Sequence, residues 1–485
     1  MSTVPVVVRH AGKKYELEID LSEPGIVFKN QLYSLTGVSP ERQKILVKGG
    51  QLKDDADLST LKIKPGHAFM LLGTPGDDAQ PPAVVPPPKF IEDMSEAQIA
   101  QETKYPTGLQ NLGNTCYLNS TLQALRTIPE VRGALNTYSG PPTDVTGSLR
   151  RLYSGMDSGI SVPSSFLSAF KARFPQFAEV DNRGYPKQQD AEEAWSTLIN
   201  LLRGSLKSSS DVSTVEEYMS GAFETELKSV ETPEDEVKKE VVPFYKLDCH
   251  ISINTNYLKD GILDGLSETV EKHNPELGRD AEYQLTKRIT RLPKYLTVHY
   301  VRFYWRRDTQ KNSKILRKVV FPKELDVTDL CTDELKTHTV PVREKLMEIR
   351  KEEEDTRRAA KKLKLNAGAA VASAAAEIKD AVTPEKKAEY KEALDRVVKE
   401  HLDPSAGPGS NPSGLYELQA VVTHQGASAD SGHYQAFVRN DAEEGQWWRF
   451  NDNKVTIVDE SKIDALAGGG ESDSALILLY REASI

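Results

Sequence analysis

The chain has 485 residues, 38% of them hydrophobic and 28% charged, a globular composition spread over more length than one hydrophobic core supports, so two or more packed units are expected. Its 72 acidic against 62 basic side chains, a formal charge of -10, supply no broad positive field to gather phosphates, which sets nucleic acid aside as a partner. Cys116, Cys249 and Cys331 make no disulfide framework, and His10, Lys13 and Lys14 interrupt the N-terminal stretch before a signal-length apolar run develops, so the expected compartment is the cytosol or nucleus, with no membrane partner.

Val4 to Val8 and Tyr15 to Ile19 read as strands about an Ala11-Gly12 turn. Phe28, Leu32 and Leu35 then share one helical face, and Ile45 to Val47 reads as a further strand. That order is an α+β unit, and with the run RQKILVKGGQLKDDADLSTLKIKPGHAFMLL it resembles ubiquitin over residues 1–75. The resemblance implies a β-grasp docking module, because Leu71-Leu72-Gly73 runs on into more chain instead of ending in a free Gly-Gly tail. Leu46 and Leu71 stand where such domains carry an exposed apolar patch for a partner, while as alternating strand residues both also fit a core. Residues 76–103, with clustered prolines at their start, read as an extended spacer.

In GLQNLGNTCYLNSTLQALRTIP, Asn114 and Thr115 suit the cap of a helix whose Leu118, Leu122 and Leu125 share a face, placing Cys116 in the first turn. Unpaired amides and the positive end of the helix dipole favour a thiolate there, the species that attacks a carbonyl carbon. VVTHQGASADSGHYQAFVRNDAEEGQWWRFNDNKVTIV supplies the complement. His433 opens a strand beside small residues as a candidate base, and Asn451 or Asp452 on the adjacent hairpin arm is the candidate third group that fixes its tautomer.

These two segments, with YPKQQDAEEAW at 185–195 and RLPKYLTVHYVRF at 291–303, resemble the ubiquitin-specific protease family over residues 104–485. The resemblance implies a papain-like domain of thumb, palm and β-sheet fingers that grips ubiquitin and cleaves after its C-terminal glycine. It makes Cys116 the nucleophile, His433 the base, Asn451 and after it Asp452 the orienting groups, and Asn111 the oxyanion donor. Gln189 and Asp190 match positions that hold the ubiquitin tail, and Gly432 and Tyr434 flank the base beside it. No CxxC pair occurs, so no zinc is expected; the cycle needs no metal or organic cofactor, and Cys249 and Cys331 read as packing residues.

Residues 343–412 are charged helix formers joined by an alanine-rich stretch, expected as a solvated and partly mobile surface helix pair. The order of ubiquitin-like unit, spacer and catalytic domain resembles the proteasome-associated members of the family. That implies the proteasome regulatory particle as partner and two cleft-covering loops, near 328–342 and 426–431, that restrain the free enzyme. Set against this are a non-catalytic ubiquitin-binding adaptor, which the presence of every catalytic residue type opposes, and a protease for another ubiquitin-like modifier.

Overall fold

The structure, a computed structural model, describes residues 3–47, 50–74, 105–208, 211–232, 237–274, 276–307, 311–367, 382–404, 406–428 and 431–485. It divides into two compact units, residues 1–94 and 95–485. The spacer expected at 76–103 lies outside the described residues. Among the described residues no helix is long and apolar enough to cross a membrane.

In the first unit β1 (Thr3–His10) and β2 (Lys13–Asp20) form a hairpin about Ala11 and Gly12, both at positive φ. Helix α1 (Gly25–Thr36) follows, then β3 (Lys44–Val47), β4 (Gly50–Gln51) and β5 (His67–Leu72), in a sheet ordered β2-β1-β5-β3-β4 with β5 parallel to β1. Phe28 and Leu32 of α1 are buried against Val6, Val8, Ile45 and Phe69. Leu35, expected on the same face, is 47% exposed: it sits in the last turn, and after the left-handed Gly37 cap Val38 is the buried residue instead. Strand alternation also corrects the expected docking pair. Leu46 is 48% exposed, but Leu71 is 1% exposed and belongs to the core, so the outward apolar residues are Leu46, its cross-strand partner Met70, and Leu72.

The second unit opens with helices α2 (Cys116–Leu125), α3 (Pro129–Thr137), α4 (Val145–Asp157), α5 (Ser164–Arg173), α6 (Ala191–Ser205) and α7 (Thr214–Tyr218). Strands β6 (Gly221–Ser229), β7 (Lys238–Phe244) and β8 (Leu247–His250) lead to α8 (Leu258–Gly265), then β9 (Ser267–Asn274), β10 (Arg279–Arg291) and β11 (Tyr295–Val301). Next come β12 (Phe303–Arg306), β13 (Lys311–Lys314), β14 (Glu324–Asp326), α9 (Asp333–Ala367) and α10 (Pro384–His401). The chain closes with β15 (Leu415–Ser428), β16 (Ser431–Arg439), β17 (Gln446–Asn451), β18 (Lys454–Asp459), α11 (Glu460–Asp464) and β19 (Ser474–Glu482).

A four-stranded antiparallel sheet, β7-β6-β10-β9, stands apart from the main sheet, β18-β17-β16-β15-β19-β11-β8 with β14 on β15. Main-sheet residues alternate between two cores. Ala420, Val422, Ala436 and Ile477 share one with Leu118, Phe170 and Trp195 of the early helices. Val421, Phe437 and Leu478 share the other with Leu258 and Ile262 of α8 and Leu335 of α9. The period of two in the strands thus binds both layers to one sheet.

In the charged stretch, whose residues 368–381 lie outside the described residues, the first helix is more deeply seated than its composition suggests. Helix α9 begins before residue 343, and Val342, Leu346 and Ile349 fall on one stripe, 2%, 1% and 1% exposed. Leu346 packs on Leu415 and Ala483, while Arg350 donates to Glu324 Oε1 at 2.7 Å, to the Glu417 carboxylate and to Ser484 O at 2.8 Å. Residues 328–342, expected as a loop over the cleft, are instead a 3-10 turn at Thr328–Leu330 and the start of α9, with Leu330 and Cys331 3% and 0% exposed in the core. Their apolar side chains complete the layer that carries Leu335.

Arg302, one residue beyond β11, is 1% exposed. Its guanidinium donates to four carbonyls: Ala475 O at 2.8 Å, Arg317 O at 2.9 Å, Ile315 O at 3.1 Å and Ala467 O at 3.1 Å. A planar fork with five donors is the side chain that satisfies such a set. Arg302→Met orphans those acceptors and should lower unfolding stability by about 3 kcal/mol or more. All four tryptophans, Trp195, Trp305, Trp447 and Trp448, lie in the second unit, so urea unfolding followed by tryptophan fluorescence reports it directly.

Candidate active site

The stretch Asn111–Thr115 folds back on itself before α2. Asn111 Oδ1 accepts from Gly113 N at 3.0 Å and Thr115 N at 3.2 Å, and Gly113 and Asn114 both take positive φ. Asn114 and Thr115 do not cap the helix with their side chains: Asn114 Nδ2 donates to Pro186 O at 2.8 Å, and Thr115 Oγ1 accepts from Leu112 N at 2.9 Å. The helix start carrying Cys116 therefore has no side-chain cap. Its first-turn amides and dipole are directed at whatever occupies the cleft.

His433 enters from the other end of the chain, near the start of β16 and opposite Gln425 of β15. Gly432 before it has φ +129, and a Cβ there would stand 2.2 Å from Gln425 O and 2.7 Å from His424 Nε2, so only glycine fits this approach. His433 Nε2 lies 2.7 Å from Asn451 Oδ1 at the end of β17. An acceptor oxygen there fixes the proton on Nε2 and turns Nδ1 to the sulfur. The imidazole is held up to about 9, chiefly by its hydrogen bond with Cys116, with Asn451 and the charge of Asp452 adding to it against the opposing effect of burial. The raised value favours the charged imidazolium beside the sulfur at neutral pH.

Asp452 makes a different connection. Its carboxylate accepts from Asn111 Nδ2 at 3.0 Å and Asn119 Nδ2 at 2.8 Å, and its carbonyl accepts from Leu109 N at 3.0 Å. A Cβ on Gly108 would meet Asp452 O at 2.6 Å, which accounts for the glycine that opens this sequence element. Asp452 acts on the imidazole through its charge, and by hydrogen bonds it holds Asn111.

Of the expected tail-holding residues, Asp190 caps α6 by accepting from Glu192 N at 2.7 Å, and burial pushes its carboxyl upward; Gln189 beside it is half-buried. Tyr434, expected to flank the channel, is 1% exposed and packs edge-on to His424 with centroids 4.7 Å apart. Alternation along β16 puts it with Ala436 and Val438 in the helix-side core, away from the side that carries His433. Of the segment 426–431, residues 429–430 lie outside the described residues; just before it, Lys314 Nζ of β13 donates to His424 O at 2.6 Å and Phe303 of β12 stacks edge-on to His424 at 5.2 Å. Burial lowers Lys314 to about 8 and His424 to about 3, so His424 stays neutral.

Two polar residues at the site escape the sequence reading. Gln188 Nε2 reaches Cys116 Sγ at 3.3 Å, and nothing local distinguishes it from its twin Gln189. Asn119 is 3% exposed on α2, where Ser120, Thr121 and Gln123 are buried as well, so its local sequence does not single it out. Cys249 and Cys331 are far less reactive in kind, for burial pushes each thiol up to about 12.

Comparison with known proteins adds a family context. Residues 107–480 match the model of the ubiquitin carboxyl-terminal hydrolase family and residues 6–76 that of the ubiquitin family. The chain is 44% identical to ubiquitin carboxyl-terminal hydrolase 6 of Schizosaccharomyces pombe over 99% of both chains. It is 39% identical to the Arabidopsis thaliana protein of the same name over 96% of both. Against ubiquitin carboxyl-terminal hydrolase 14 of Caenorhabditis elegans it is 35% identical, covering 98% of this chain and 93% of that one. A chain in the SAGA Ubp8/Sgf11/Sus1/Sgf73 DUB module bound to ubiquitin aldehyde shares the fold, with a TM-score of 0.51 at 19% identity over 78% of this chain and 70% of that one.

His433 binds its proton more tightly folded than unfolded, where its value is about 6.5. Its contribution to stability is thus fully present below that pH and fades as pH rises through about 9. NMR titration should show the His433 ring losing its proton near pH 9, and Cys116→Ala should move that midpoint down.

Proposed function

The chain belongs to the ubiquitin carboxyl-terminal hydrolase family, and from that premise we propose how its residues hydrolyse the bond after the C-terminal glycine of ubiquitin. The observation that carries the reading is a sulfur at an uncapped helix start, hydrogen-bonded to an imidazole that Asn451 orients at 2.7 Å. The Cys116 thiolate attacks the glycyl carbonyl carbon, and its electron pair forms the carbon–sulfur bond while the carbonyl oxygen takes the charge. Asn111 gives one amide proton to Asp452, which leaves the second for that oxyanion, beside the first amides of α2. The imidazolium of His433 protonates the departing lysine amine, and a thioester remains. Neutral His433 then takes a proton from water, whose oxygen displaces the sulfur and releases the ubiquitin carboxylate.

Gln189 and Asp190, at the start of α6, are the residues proposed to hold a tail without side chains in a narrow channel to the sulfur. Such a channel favours a terminal Gly-Gly. In the first unit the exposed trio Leu46, Met70 and Leu72 is the proposed docking face for the proteasome regulatory particle. The segment near 426–431, next to the His424 that Lys314 and Phe303 hold, is the proposed restraint on the free enzyme.

Ubiquitin ending in an electrophile should label wild-type protein at Cys116, fail on Cys116→Ala, and label His433→Ala at least about a hundredfold more slowly. Preferential labelling by another modifier, or none by ubiquitin, overturns the reading. Asn111→Ala should lower kcat by roughly a hundredfold or more at similar KM. Proteasomes should raise turnover of a fluorogenic ubiquitin substrate, and Met70→Asp should abolish that rise while probe labelling persists; equal rates with and without proteasomes reject the restraint.

A further inference from the structure

Gln188 lies in the extended stretch that leads into α6, between two anchors. Upstream, Pro186 O accepts from Asn114 Nδ2 at 2.8 Å, tying the stretch to the turn before Cys116. Downstream, Asp190 caps α6. Held at both ends, the half-buried carboxamide of Gln188 meets the nucleophile: Nε2 lies 3.3 Å from Sγ, and Oε1 lies 3.8 Å from it.

A thiol is a weak acceptor, whereas a thiolate accepts strongly and cannot donate. An amide N–H set on the sulfur therefore gains more from the ionised form than from the neutral one. The nearer of the two carboxamide atoms is the donor nitrogen, the arrangement that suits the ionised form. His433 approaches the sulfur from β16, and the charge of the Asp452 carboxylate acts on its ring. Tyr117 on the same helix has its phenol pushed up by burial, then by the charges of Cys116 and of Glu193 on α6.

We propose that Gln188 is a catalytic residue whose carboxamide N–H donates to the Cys116 sulfur and stabilises the thiolate before substrate arrives. This rests on Cys116 as nucleophile. With both His433 and Gln188 at the sulfur, the thiolate has two donors and does not depend on the imidazolium alone. Substrate then enters a site whose nucleophile is already charged.

The test is alkylation of Cys116 by iodoacetamide in the full chain, followed by peptide mass spectrometry from about pH 5 to 9, together with kcat and KM on a ubiquitin substrate. Gln188→Leu should slow alkylation near pH 6 roughly tenfold and move the acid limb up by about one pH unit, with kcat falling and KM within about twofold. Gln188→Glu, which sets a carboxylate against the sulfur, should move the limb further in the same direction. Gln188→Asn, one methylene short of the sulfur, keeps the site polar and should behave like Gln188→Leu; it carries the test alone if the leucine variant does not fold by tryptophan fluorescence. Alkylation profiles that coincide with wild type overturn the proposal, and a rise in KM alone then assigns Gln188 to holding the ubiquitin tail. Wild-type protein that the ubiquitin electrophile fails to label instead defeats the functional reading itself, so the two failures are distinct.

Discussion

The cleft is closed by a seam between the segment Gly108–Thr115 and the turn that joins β17 to β18. Asp452 spans it with both carboxylate oxygens and its carbonyl, reaching Asn111, Asn119 and Leu109, and the Asn111 bond alone bridges 341 positions of sequence. Because Asn451 immediately precedes Asp452, the same turn that grips the helix start also delivers the acceptor for His433. One join thus sets the oxyanion donor, the tautomer of the base and the height of the helix relative to the sheet. Opening it costs two carboxylate hydrogen bonds and a backbone one together, which makes the constellation rigid where catalysis needs it to be.

Burial sorts the titratable groups around that seam by their partners. His433 rises to about 9 because hydrogen bonds favour its charged form, while His424, nine positions earlier on the neighbouring strand, falls to about 3 because burial and Lys314 oppose charge. Two imidazoles within one hairpin therefore take opposite charge states at neutral pH. The neutral one donates from Nε2 to Ser431 O at 3.2 Å and supports the turn, leaving the charged one to the chemistry. The thiols differ in their surroundings: burial favours the neutral form of Cys249 and Cys331, whereas Cys116 has an imidazole and a carboxamide at hand.

The charged helices illustrate how composition misleads about seating. A mean over many Lys, Glu and Arg residues hides the stripe Val342, Leu346 and Ile349, which suffices to dock α9, and Arg350 joins the helix to β14, β15 and the C-terminal Ser484. Strand β15 runs from that contact to Gln425, which pairs with His433 of β16, so one strand touches both the helix and the base's own strand.

Much of the site was legible because chemistry fixes residue types locally. A cysteine at a helix start, a histidine after glycine at a strand start and an asparagine closing the next strand are each short-range patterns, and the family resemblance orders them along the chain. Side-chain direction was not legible. Leu71 and Tyr434 turned out to be core because a shift of one residue in a strand reverses the face, and that parity is set by partner strands far away in sequence. The choice between Gln188 and Gln189, and the attachment of Asp452 to Asn111, likewise depend on how the helical layer seats against the sheet. Sequence by itself determined the two kinds of unit, the reacting groups and their order; only the tertiary structure decided which neighbour faces the sulfur, because that direction is fixed by long-range hydrogen bonds and packing that no local pattern encodes.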